Sequence, residues 1–197
     1  MITGCNLKYS LSDYNNLVSR YGSYASWAIW NPEKPSDTAV IDKNIHQLHS
    51  KFVLLGLNVS RSLTNKPWSN FHDNSHARKL RYACNNTKLR GSYITDLFKD
   101  IVEPKSNNLR SVLTEGAIEE NIRFFDQEMH DIQITDDTRF IIFGTPPSLL
   151  ARCFNDYFKQ GYKNDISYYY HYSYFALTDK QWVNGFWKML GINQSFG

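Results

Sequence analysis

The chain has 197 residues, a formal net charge of +3 and 21% charged residues, which allows one domain with a sizeable core and leaves too little for two. This mild charge neither demands nor excludes a polyanionic partner. No apolar run approaches membrane-spanning length, the N-terminus lacks a basic-then-apolar leader pattern, and the three cysteines (Cys5, Cys84, Cys153) include no Cys-x-x-Cys pair; the expectation is a soluble cytoplasmic protein with reduced thiols.

Residues 11–21 have the spacing of a short amphipathic helix, with Ser10 or Ser12 as its cap and Gly22 at its end. The aromatic stretch 24–32 holds Trp27 and Trp30 and runs into Pro32 and Pro35. It reads as a decoration packed on the core, because such rings are unfavourable in water. Residues 1–50 are thus expected to form an N-terminal helical and aromatic decoration, ending in a helix over 41–50. That helix would carry His46 and His49, three apart; with no third ligand nearby they are surface histidines and not a metal site.

The central element is the run Phe52, Val53, Leu54, Leu55, Gly56, Leu57, Asn58. An unbroken apolar segment that ends in polar side chains reads as a buried parallel strand delivering its carboxyl end to a site. Asn58 is then either a turn cap or a site residue. The polar loop over 61–73, holding Trp68, Phe71 and His72, follows at the end of the sheet where function collects.

A helix over 75–85 with Arg78, Lys79 and Arg81 leads to a β-branched and aromatic strand over 92–98. The longest helical pattern covers 111–132, with Ile118, Ile122, Phe125 and Met129 facing a core. A strand over 139–144 precedes a helix capped by Thr145 and running to about 158. A last strand over 166–170 leads through His171 to Thr178 and Gln181, a capping box that opens a helix with Trp182, Phe186, Trp187 and Leu190 on its apolar face. The alternation predicts an α/β fold, a three-layer α/β/α sandwich around a parallel sheet of about four strands, in one domain over 1–197.

Three separated motifs in this order resemble those of the uracil-DNA glycosylase superfamily, over roughly residues 52–190. Gly56-Leu57-Asn58-Val59-Ser60 is similar to the Gly-Ile-Asn-Pro-Gly of the mismatch-specific branch, which implies that Asn58 positions the attacking water and that Ser60 lies against DNA. Tyr93-Ile94-Thr95-Asp96 is similar to the strand whose terminal Asn reads the flipped base, a position held here by Asp96. His171-Tyr172-Ser173-Tyr174-Phe175 is similar to a His-Pro-Ser-Pro-Leu loop. The resemblance implies His171 facing the departing base, Ser173 on a phosphate, Phe175 as the wedge in the duplex, and Phe71 or Trp68 stacking on the base. It implies a monomer acting on DNA without metal or cofactor.

The departures shape the expectation. An ionised Asp96 presents only acceptors, so it disfavours uracil O4 and favours an edge with adjacent donors, such as an amino-bearing base. Loss of both loop prolines to Tyr172 and Tyr174 puts the phosphate-pinching geometry in question. Each position also has a structural reading: Asp96 as a cap or a partner of Lys99 or Arg90, His171 as a strand-end histidine, Phe175 and Trp68 as core. The expected activity is hydrolysis of the glycosidic bond of a flipped, non-uracil base; the alternative is a non-catalytic nucleic-acid-binding protein on the same fold.

Overall fold

The computed structural model describes residues 8–59, 66–73, 77–99, 101, 108 and 113–197. Ser60, Cys5 and His76 lie outside the described residues. The strands are β1 (Ser26–Trp27), β2 (His49–Asn58), β3 (Ser92–Phe98), β4 (Arg139–Ile142) and β5 (Ile166–Tyr168). The helices are α1 (Leu11–Tyr21), α2 (Ala39–Asp42), α3 (Arg78–Cys84), α4 (Glu115–Asp131), α5 (Leu149–Cys153) and α6 (Asp179–Met189).

The five strands are ordered β1-β3-β2-β4-β5. Four run parallel and β1 pairs antiparallel with the β3 edge. The chain leaves β2 toward β3 on one side, then crosses back to β4 on the other. The carboxyl end of β2 is therefore a topological switch point, where open α/β sheets form crevices.

Helices cover both faces. On one, α4 sends Phe125 against Phe140 and Glu128 to Tyr93 and Thr95. On the other, Trp182 and Phe186 of α6 pack on Phe143.

Local signals explain most boundaries. Ser10 caps α1 in a reciprocal box with Asp13, and Thr178 caps α6 in the same way with Gln181. Strand β3 spans the expected residues and is buried along its whole length, as a strand covered on both faces should be.

Three expectations need correction. The aromatic stretch is more than a decoration on the core: it contributes β1, an antiparallel strand added to the expected four, with Trp27 and Trp30 fully buried. The helix over 41–50 is only the short α2 and a 3-10 turn at Ile45–Gln47, because Asn44 turns its amide back onto the Val40 carbonyl and His49 already belongs to β2. The helix after β4 is capped by Ser148, whose Oγ accepts the Ala151 N–H, and not by Thr145. Among the described residues, no helix is long and apolar enough to cross a membrane.

Candidate functional site

The parallel register places Gly56 of β2 opposite Asp96 of β3 and Asn58 opposite Phe98. Strand alternation then puts Gly56, Asn58 and Asp96 on one side of the pleat, at the carboxyl ends of two adjacent strands. The approach at Gly56 is close: a Cβ there would lie 2.1 Å from Asp96 Oδ1 and 3.7 Å from the Phe71 ring. Only glycine lets the Asp96 carboxyl lie flat across β2.

Asp96 is buried, and burial raises its carboxyl pKa to about 6. Asn70 limits the shift by donating its Nδ2 to Asp96 Oδ2 at 3.1 Å. The same nitrogen donates to the Tyr24 carbonyl at 2.6 Å, and Asn70 Oδ1 accepts the Phe71 N–H at 3.1 Å. One side chain thus fixes both the carboxyl and the backbone of the adjacent aromatic. Phe71 adopts φ 65°, a conformation costly for a bulky residue, and strain of about 1–3 kcal/mol is retained where the surroundings over-determine it.

The expected partners of Asp96 are engaged elsewhere. Lys99 is buried and pairs with Glu128 at 2.7 Å, with both side chains almost wholly shielded from water. It also donates to Thr95 Oγ1 and to the main-chain oxygen of Asp96, so it braces the Asp96 backbone and lowers the carboxyl's pKa through charge alone. Arg90 goes to Gln47 and Asn85.

Asn58 is half-buried, and its Nδ2 donates to the carbonyls of Val59 and Ile101, both at 3.0 Å. Those bonds fix the amide plane and make Oδ1 the acceptor of the group.

The His171 loop reaches this face of the sheet through aromatics. Tyr172 sits edge-on to Phe71 at 6.4 Å and to Phe143 at 5.4 Å, and the His171 ring lies 4.1 Å from the Tyr172 ring. The Ser173 N–H donates to His171 Nδ1 at 3.2 Å, and Ser173 Oγ lies 2.7 Å from the same atom. A backbone N–H can only donate, so Nδ1 is the acceptor and a neutral ring carries its proton on Nε2. Burial lowers the His171 pKa to about 4, which keeps the ring neutral near pH 7.

Ser173 lies against His171 Nδ1 through both its N–H and its hydroxyl, and in this arrangement it positions the histidine. The two expected stacking aromatics also separate. Trp68 is a core residue, with its Nε1 donating to the Tyr14 hydroxyl at 2.9 Å and its ring edge-on to Trp27. Phe71 alone lies against the Gly56–Asp96 pair. Phe175 is the reverse case: it is 93% exposed and belongs to no core. His72 is buried between the carbonyls of Pro35 and Trp27 and stacked on Trp30.

Sequence reasoning missed Asn70, Tyr172 and the Lys99–Glu128 pair. One signal was available for the last: Asn121, Phe125 and Glu128 fall on one stripe of α4 at helical spacing and all three are buried, so two polar residues interrupt an apolar face. Among the described residues, no group of three or more His, Cys, Asp or Glu side chains could hold a metal ion. No family model, curated protein or solved structure matches the chain.

Proposed function

We propose that this protein hydrolyses the N-glycosidic bond of a nucleobase flipped out of DNA, as an atypical relative of the uracil-DNA glycosylases. The observation that carries the reading is the convergence of three sequence-distant motifs on one face of the sheet. Asn58 and Asp96 lie at adjacent strand ends, and Phe71, beside Gly56 and Asp96, meets Tyr172 next to a neutral His171.

Cleavage builds positive charge on the sugar and negative charge on the departing base. A neutral imidazole with its proton on Nε2 donates to that growing anion more strongly than to the uncharged base, and so stabilises the transition state over the ground state. Asn58 Oδ1 accepts from a water and aims it at the sugar; no strong base is needed when the carbon attacked is already cationic. Near neutral pH, Asp96 is ionised and offers acceptors only, which selects an amino-bearing edge. The test is an excision screen with uracil, hypoxanthine, xanthine, thymine and modified cytosines in short oligonucleotides, with abasic sites read by alkali cleavage. Silence across the panel sinks the reading.

One observation favours the second reading, a non-catalytic nucleic-acid-binding protein. Asn58 Nδ2 ties together the Val59 and Ile101 carbonyls, which is what a turn-capping asparagine does. Under that reading Asn58→Ala loosens the strand end and leaves nucleic-acid binding nearly unchanged.

A further inference from the structure

Six large hydrophobic side chains are exposed among the described residues, and three of them, Tyr170, Tyr174 and Phe175, fall within one six-residue stretch. Exposed apolar groups scattered singly need no explanation, but a contiguous patch marks a binding surface. The rings of Tyr170 and Tyr174 are already stacked, with centroids 5.1 Å apart and planes 10° from parallel, and the Phe175 ring follows at 6.0 Å from Tyr174.

The patch is held rigidly. Lys79 of α3 donates to the carbonyls of Tyr174 at 2.6 Å and Leu177 at 2.7 Å, pinning both sides of Phe175, and Trp182 Nε1 donates to the Tyr170 carbonyl at 3.0 Å. Phe175 is thus presented to solvent on an anchored backbone. It forms one lip of a cleft of about 600 Å³ between the ends of α3 and α6, whose lining includes Arg78, Lys79, Lys180 and Asp179. Arg78 pairs with Asp179 at 2.8 Å and Lys79 is turned to the two carbonyls, which leaves the exposed Lys180 as the cation of the cleft that faces solvent beside the aromatic column.

We infer that Tyr170, Tyr174, Phe175 and this cleft form a track for single-stranded nucleic acid, with bases stacking on the aromatic column and the phosphate backbone passing Lys180. The inference deepens the proposed function by naming the form of its substrate. Unpaired bases offer free π-faces to such a column, whereas the bases of a duplex are already stacked on one another. Duplex binding draws mainly on many phosphate contacts, which a chain of net charge +3 is poorly equipped to make, while stacking supplies affinity at low charge.

The test is fluorescence anisotropy with a labelled 12-nucleotide single strand of undamaged sequence and a hairpin duplex of the same sequence. The single strand is expected to bind at least about tenfold more tightly, with Phe175→Ala and Tyr174→Ala each weakening it at least about fivefold. Lys180→Gln is expected to reduce the slope of log K against log salt by about 0.7. Circular dichroism checks the fold of each variant, and all three positions are exposed. Equal or tighter duplex binding, unchanged single-strand affinity in both aromatic variants, or no binding to either probe overturns the inference. Because anisotropy reads binding and not base release, this result is independent of the excision screen, and either can fail alone.

Discussion

Gly56→Ala probes the packing that places the Asp96 carboxyl. The added Cβ would lie 2.1 Å from Asp96 Oδ1, against a limit near 3.0 Å for real contacts, so the oxygen or the strand must yield by about 0.9 Å. The carboxyl has little room to do so: its other oxygen accepts from Asn70, which is itself tied to the Tyr24 carbonyl and the Phe71 N–H. Overpacking of this kind costs about 1–3 kcal/mol, and loss of the hydrogen bond to a charged acceptor adds about 1.5–3 kcal/mol when the carboxyl swings away. Replacing a strand glycine returns about 0.5–1 kcal/mol.

The net expectation is a loss of about 1.5–5.5 kcal/mol by urea unfolding. In an Asp96→Ala background the clash has no partner, so Gly56→Ala should become neutral or slightly stabilising. That would give a coupling of about 2.5–6 kcal/mol between the two positions, at or above the upper end for residues in contact. An equal effect of Gly56→Ala in both backgrounds would refute the geometry on which the site is built.

Lys99→Met should destabilise by about 3–5 kcal/mol, because it strands the fully buried Glu128 carboxylate, and the double variant with Glu128→Gln should recover most of the loss; a loss under about 1 kcal/mol by urea unfolding contradicts the buried pair. Asp96 sets a pH dependence whose sign follows from its raised pKa of about 6. The folded protein keeps a proton that the unfolded chain has released by about pH 4, so its contribution falls as pH rises from about 4 to 6, by roughly 2–3 kcal/mol. Urea midpoints of Asp96→Asn should lack that decline, and parallel pH profiles for the two proteins would contradict it. The same protonation makes Asp96 present one donor and one acceptor, like an asparagine, so uracil release should appear below about pH 6 and fade above it. Uracil release that rises with pH through that range contradicts the assignment of Asp96 as the base reader.

What the sequence disclosed follows the range of the interactions involved. The helices Leu11–Tyr21 and Asp179–Met189 were legible because their capping boxes are complete within four residues, and Ser92–Phe98 because its β-branched run is bounded by a glycine. Strand β1 has only two residues and exists through its pairing with Tyr93 and Ile94, which no local pattern announces. Trp68 and Phe175 show the same limit at the site. Both are large aromatics in polar loops, yet one is enclosed by Tyr14 and Trp27 and the other stands in solvent. Asn70 acts through contacts to positions 46 residues before it and 26 after it, so its place beside Asp96 emerges only when the sheet brings them together.

The most direct test is single-turnover release of free base from the oligonucleotide that the screen selects, comparing the wild-type protein with Asn58→Ala while measuring binding of the same oligonucleotide. The account predicts that Asn58→Ala lowers the rate of release by at least about a hundredfold, as loss of one positioned transition-state group does, with affinity within about threefold of the wild type. Release at an unchanged rate in Asn58→Ala would contradict it and return Asn58 to the role of a turn cap.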